Sequence, residues 1–217
     1  IKPDKIICNG KKAFNTLLSQ GVPKDKLLIG SALRQNLNLI NYQKNKNNKL
    51  LILTSLSMES NVEILSKIFK VFSNNKIDIN VTIKSHPMFN KNKILKVMKW
   101  QKLPFNWEWE NKEIIEALKD SYCCLTMTTA ACYDAILSGS IVIPIMSELS
   151  IGENYLDLYQ DQYPIISSVQ SERIYERLKD IFEEKNEFYE SEFAKLKKDI
   201  IKDICPINDE NLNVFIR

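Results

Sequence analysis

Between residues 5 and 145 the chain alternates short apolar runs with stretches of helical spacing, and this alternation constrains its fold more than any other feature. LLILTSL (50–56), YCCLTM (122–127) and IVIPI (141–145) are near-continuous apolar runs, the pattern of strands covered on both faces in a parallel sheet. KIIC (5–8), KLLIG (26–30) and INVTIKSHP (79–87) predict further strands, the last stopped by Pro87, and FNWEW (105–109) a shorter one. Helices are predicted over KKAFNTLLSQ, ESNVEILSKIFKVF, KILKVMKW, EIIEALKD and TAACYDAILSG, with one or two more over 171–204. Strands and helices in this order, joined by short connections, predict an α/β fold with a doubly wound, mostly parallel, Rossmann-like sheet. Such sheets bind ligands beyond the carboxyl ends of their strands, beside helix amino ends. The strand-to-helix turns are therefore where chemistry is sought.

Composition narrows the function classes. A hydrophobic content of 44% with 26% charge describes a folded chain and excludes a disordered or collagen-like one. No apolar run approaches the roughly 20 residues that span a bilayer. The net charge is only +3, and of 30 cationic residues only Arg34, Arg173, Arg177 and Arg217 are arginines. Arginine is the usual reader of base edges and phosphates, so no nucleic-acid partner is expected. The run QKNKNNK (43–49) reads as a solvated connector. Cys8, Cys123, Cys124, Cys132 and Cys205 form no CxxC pair and no metal-ligand spacing with the single histidine. An odd count set in apolar segments predicts reduced, buried thiols and a cytoplasmic setting.

Three turns carry candidate chemistry. In TSLSMES (54–60), Thr54, Ser55 and Ser57 precede a helix, where hydroxyls and free amides hold a phosphate or sugar hydroxyl, or simply cap the helix. No GxGxxG and no GxxxxGK[ST] occurs, which removes the main support for NAD-binding and P-loop readings. IKSHP (83–87) places Lys84, Ser85 and His86 at a strand end, and His86 is the sole histidine. There it can donate to a phosphate or move a proton. In TMTTAACYD (126–134), Thr128 and Thr129 open a helix whose Ala130 and Ala131 allow close backbone approach, and Asp134 lies one turn in. Free amides and two hydroxyls make an anion cradle. Together the turns, with their hydroxyls, helix dipoles, His86 and Lys84, predict a nucleotide mono- or diphosphate ligand. With no clustered carboxylates, neither a metal nor another cofactor is expected.

These segments resemble the C-terminal, donor-binding half of GT-B glycosyltransferases, and more narrowly the bacterial enzymes that build capsule, lipopolysaccharide or teichoic-acid surface polymers. The resemblance rests on residues 3–34 with their GVP turn, on LLILTSLS, on IKSHP as the K-x-HP turn, and on TMTTAACYDAILSGSIVIPI. It implies a nucleotide-sugar donor (CMP-, CDP- or UDP-linked), with His86, Thr128 and Thr129 on the donor phosphates and Asp134 on the ribose or sugar hydroxyls. It also implies that 1–49 closes a preceding domain and linker, 50–170 binds the donor nucleotide, and 171–217 forms C-terminal helices, the last crossing back to the first domain. The glycan acceptor and the catalytic base would then belong to a preceding domain, and the enzyme would work at the inner face of the membrane as a peripheral protein. Glu148 and Glu153, after the last strand of the core, read as surface-loop residues, with an approach to the donor sugar as the alternative. The pattern departs from the family in having Thr128-Thr129 for a Ser-Ser pair and Ala135-Ile136-Leu137-Ser138 for an aromatic-rich continuation. A UDP-sugar 2-epimerase shares the architecture but is expected to carry a glycine- and acid-rich turn instead of TMTTAACYD. A non-catalytic nucleotide or sugar sensor is the reading from another class. KLKKDIIKDI (195–204) is basic, but its interspersed acids predict a packed or solvated face rather than a membrane helix. At 217 residues, with no initiator Met, the chain is expected to be the second half of a longer enzyme.

Overall fold

The computed structural model describes residues 3–34, 39, 47–149 and 154–216. Five strands, β3 (Lys49–Leu53), β4 (Asn80–Lys84), β5 (Glu108–Trp109), β6 (Cys123–Thr126) and β7 (Ile141–Pro144), form one sheet in the order β5-β4-β3-β6-β7. Every pairing is parallel. The apolar runs are continuous because both faces of this sheet are covered. Leu50, Leu51, Ile52, Cys123, Cys124 and Leu125 are all fully buried, and Cys123 and Cys124 point to opposite faces.

Right-handed crossovers sort the helices between two layers. α2 (Met58–Asn74) packs on α3 (Lys91–Met98), while α4 (Ile114–Lys119) packs on α5 (Ala131–Leu137), which in turn meets α8 (Asn186–Asp203). Along α2 the residues Ile64, Leu65, Ile68 and Val71 are buried, the stripe expected of a helix lying on a sheet. The 171–204 stretch resolves into α7 (Ile174–Lys179), a wider turn over 180–184, and α8. The short α6 (Asp157–Gln160) and the turn Pro164–Ile166 had no sequence signal. All five cysteines are buried, and none is joined in a disulfide among the described residues.

A second, two-stranded parallel unit, β1 (Ile6–Cys8) and β2 (Leu27–Ile29), is joined through α1 (Lys11–Ser19). The carboxyl end of the chain returns to this unit. Cys205 donates its amide to Asn9, Ala32 donates to Cys205, and Ser31 Oγ donates to Pro206. Asp203 reaches the first turn of α1 and accepts the Lys12 amide at 2.5 Å. An acceptor at a helix amino end satisfies a donor that the helix itself cannot. The approach is close enough that a Cβ on Gly10 would lie 2.4 Å from the Asp203 carbonyl oxygen. α9 (Asp209–Leu212) completes this tail.

Candidate functional site at the carboxyl edge of the sheet

Strand order reverses at β3, whose following strand in sequence lies on one side and β6 on the other. The carboxyl ends of β3 and β6 thus flank the crevice where doubly wound sheets bind ligands. All three predicted turns leave this edge. Leu53 is level with both Lys84 and Thr126.

The turn after β3 is occupied by its own contacts. Thr54 Oγ1 accepts the His86 amide at 2.6 Å and donates to the Lys84 carbonyl at 3.2 Å. Ser55 is gripped by the fully buried Asn61, which accepts the Ser55 amide at 2.7 Å and donates to its carbonyl at 3.1 Å. Ser57 caps α2, accepting the Ser60 amide and donating to Glu59. The three hydroxyls therefore build the turn. Asn61, which no sequence signal marked, locks it.

The turn after β4 presents His86. Its Nδ1 accepts the Met88 amide at 3.2 Å, which in the neutral ring puts the proton on Nε2. Among the described residues Nε2 has no partner, so the ring offers a donor. The Lys84 ammonium turns away from this turn and donates to the Lys112 carbonyl, on the β5 side.

The turn after β6 holds the strongest local signal. Thr128 sits at φ 45°, in the left-handed region. For a β-branched residue this is a true outlier, costing about 1–3 kcal/mol, and such strain concentrates at ligand-binding turns. Among the described residues the amides of Thr128, Thr129 and Ala130 donate to no protein acceptor. α5 begins at Ala131 with no side-chain cap, and the Thr129 hydroxyl reaches only the Ala131 amide, at 3.4 Å. Asp134, half-buried in the first turn of α5, does not line the adjoining cleft.

That cleft encloses about 390 Å³. Thr126, Thr128 and Thr129 form one wall, Pro144 and Ile145 the floor, and Tyr155, Asp157, Gln160, Ser167 and Ser168 the opposite wall. Of the candidate binding residues named from the sequence, only Thr128 and Thr129 line it. The opposite wall was invisible in the sequence because it is polar and carries no motif. Tyr133 of α5 fixes that wall by donating to the Tyr155 carbonyl at 2.7 Å. Cys132 also lines the cleft, but burial pushes its thiol up to about 12, so it is no nucleophile at neutral pH.

The loop after β7 is tied down by a buried ion pair. Glu63 and Lys67 on α2 are 2.8 Å apart, 6% and 9% exposed. Lys67 donates to the Met146 carbonyl at 2.5 Å, and Glu63 accepts the Ser147 hydroxyl at 2.7 Å and the Glu148 amide at 2.6 Å. Burial opposes ionisation of Glu63, but these hydrogen bonds and the Lys67 charge outweigh it and hold the carboxyl below the usual range. The Glu148 carboxylate faces Lys67 and the Ser171 hydroxyl, not the cleft. Glu153 lies outside the described residues. Among the described residues no three His, Cys, Asp or Glu side chains gather as a metal site.

No protein-family profile and no curated protein matches this chain. Solved structures do. TarM superposes with a TM-score of 0.58 at 13% identity over 98% of this chain and 43% of its own. The UDP-GlcNAc 2-epimerase of Neisseria meningitidis, solved with UDP-GlcNAc, gives 0.60 at 14% identity over 92% of this chain and 60% of its own. The calicheamicin glycosyltransferase CalG4 gives 0.58 at 13% identity over 93% and 49%. The chain thus spans about two fifths to three fifths of these proteins. At such identities the likeness is one of fold: a Rossmann-like α/β sheet of the kind found in GT-B glycosyltransferases and UDP-GlcNAc 2-epimerases.

Two outcomes follow from this geometry. Thr128→Gly removes the left-handed strain and should stabilise the chain by about 1 kcal/mol in denaturant titration. Destabilisation would show that the threonine side chain, not the backbone, matters there. Glu63→Gln should cost about 2 kcal/mol at neutral pH, because it leaves Lys67 short of its partner. A depressed carboxyl contributes stability above its ordinary value near 4.5 and loses it as pH falls through the folded value. The gap between native chain and variant should therefore close in acid; a constant gap would mean that Glu63 acts through packing alone.

Proposed function

We propose that the chain is the donor-binding part of a glycosyltransferase that moves a sugar from a nucleotide-sugar to a bacterial surface glycan. The observation that carries this reading is the strained, uncapped turn 128–130, with free amides and hydroxyls beside a 390 Å³ cleft. In glycosyl transfer the sugar C1–O bond to phosphate breaks, the nucleotide leaves with the electron pair, and the acceptor oxygen bonds to C1. Stabilising the leaving phosphate is then the chief demand on this half of the enzyme. The amides of Thr128, Thr129 and Ala130 would meet that charge, and the His86 ring would donate through Nε2. No metal is needed in this scheme. The acceptor proton passes to a base outside the described residues. Thr54, Ser55 and Ser57 would contribute by holding the turns in place, whereas Asp134, off the cleft, is given no contact with the ligand.

Solved relatives in fold support a nucleotide-sugar ligand: one TarM structure contains UDP, and the epimerase holds UDP-GlcNAc. The epimerase likeness favours a second reading, 2-epimerisation of a UDP-sugar, which a turnover assay with UDP-GlcNAc separates.

Melting in the presence of UDP, CDP and CMP tests the proposal. Occupancy at a hundredfold excess over Kd adds about 2.7 kcal/mol, and each kcal/mol raises the midpoint of a chain this size by roughly 2–4 °C. At least one nucleotide should shift it, with or without a chelator, and His86→Ala should reduce that stabilisation by about 1 kcal/mol. No shift with any nucleotide at millimolar concentration would refute the donor-binding reading. An undiminished shift in the variant would remove His86 from the site.

A further inference from the structure

Between Asp78 and Glu108 the chain has no carboxylate and six lysines: Lys84, Lys91, Lys93, Lys96, Lys99 and Lys102. The fold gathers much of this segment on one surface, at the carboxyl ends of α2 and α3. There Phe69, Phe72, Trp100, Phe105 and Trp107 form a continuous aromatic cluster, with successive ring centroids 5.4–6.3 Å apart. The cluster is not closed over. Phe105 is 50% exposed, neighbouring Val97 47% and Phe69 36%. Lys93, Lys96, Lys99 and Lys102 are exposed beside it, and none forms an ion pair among the described residues.

Stability alone does not account for this surface. Phe105 holds left-handed backbone at φ 53°, where glycine would be less strained, whereas Lys99, at φ 56°, is the ordinary left-handed cap that ends α3. The indole Nε1 of Trp107 is buried without an acceptor among the described residues. Departures from local preference clustered in this way mark functional surfaces. Exposed aromatic rings ringed by uncompensated lysines fit one kind of partner well: a layer with anionic headgroups above hydrocarbon, into which rings insert while ammonium groups stay at the charged level. Lysine without arginine suits a diffuse anionic surface better than the planar, bidentate recognition of nucleic acid.

We propose that the α3 and 99–107 surface docks the protein on an anionic phospholipid bilayer. α2 and α3 begin at the carboxyl edge of the sheet and end at this patch, so docking leaves the cleft at the other end open. The inference does not rest on the nucleotide reading.

Flotation of the 217-residue chain with phosphatidylcholine vesicles, with and without phosphatidylglycerol, tests it. Binding is expected only to the anionic vesicles and should weaken as ionic strength rises. Each lysine at such a surface is worth about a factor of five, so Lys96→Gln, Lys99→Gln and Lys102→Gln together should lower partitioning on the order of a hundredfold. Phe105→Ser should weaken it independently. Equal binding to neutral vesicles, no binding to either, or full binding by the triple variant would overturn the proposal. So would capture by single-stranded RNA without vesicle binding, or dimerisation lost in Phe105→Ser without vesicle binding.

Discussion

The pairing of β3 with β4 on one side and β6 on the other is the constraint on which the rest of the structure depends. β3 is the strand around which the order reverses, and its apolar residues are sealed from both faces. Parallel register puts Leu53 level with Lys84 and Thr126, and Thr126 level with Pro144. Four turns therefore leave the sheet at one height. The side-chain contacts then divide the labour: Thr54 and Asn61 lock the turn after β3, and Glu63 and Lys67 lock the turn after β7. The turn after β6 is left strained and uncapped, and that contrast within one edge is the basis for placing a ligand there.

The fold was largely legible because its signal is physical and local. A run such as LLIL or IVIPI has no polar face to expose, so it reads as a strand covered on both sides. Helix spans agree to within about two residues, the usual uncertainty at helix ends. The candidate site was legible only in part. Sequence marks hydroxyls near strand ends but does not show which way they turn, so Ser57 as a cap and Thr128 in a cleft look alike. The left-handed backbone at Thr128 has no signature in a Thr-Thr pair, where glycine would have announced it. Asn61, Glu63 and Lys67 look like ordinary polar positions of α2, and only burial reveals them as struts. The wall at 155–168 comes to the cleft through the chain's return along β7, where Val169 pairs with Ile145.

The two ends of the α2–α3 layer differ in kind. At the amino ends, the turns carry hydroxyls, His86 and backbone donors, with Leu56 and Met88 exposed among them. At the carboxyl ends, aromatic rings face outward beside lysines that form no ion pair among the described residues. An enzyme that passes sugars to a surface polymer would work beside a membrane, and this polarity suits that setting. Among the described residues no helix is long and apolar enough to cross a membrane, so contact through this patch would be peripheral.

The central claim is that the turn after β6 receives a nucleotide's phosphates, with His86 reaching them from the end of β4, on the other side of β3. Amide resonances followed during titration with UDP, CDP or CMP test it most directly. Thr128, Thr129 and Ala130 should show the largest shifts, with Met88, whose amide is bonded to the His86 ring, moving alongside. Shifts that spare residues 128–130 while another region responds would contradict the claim.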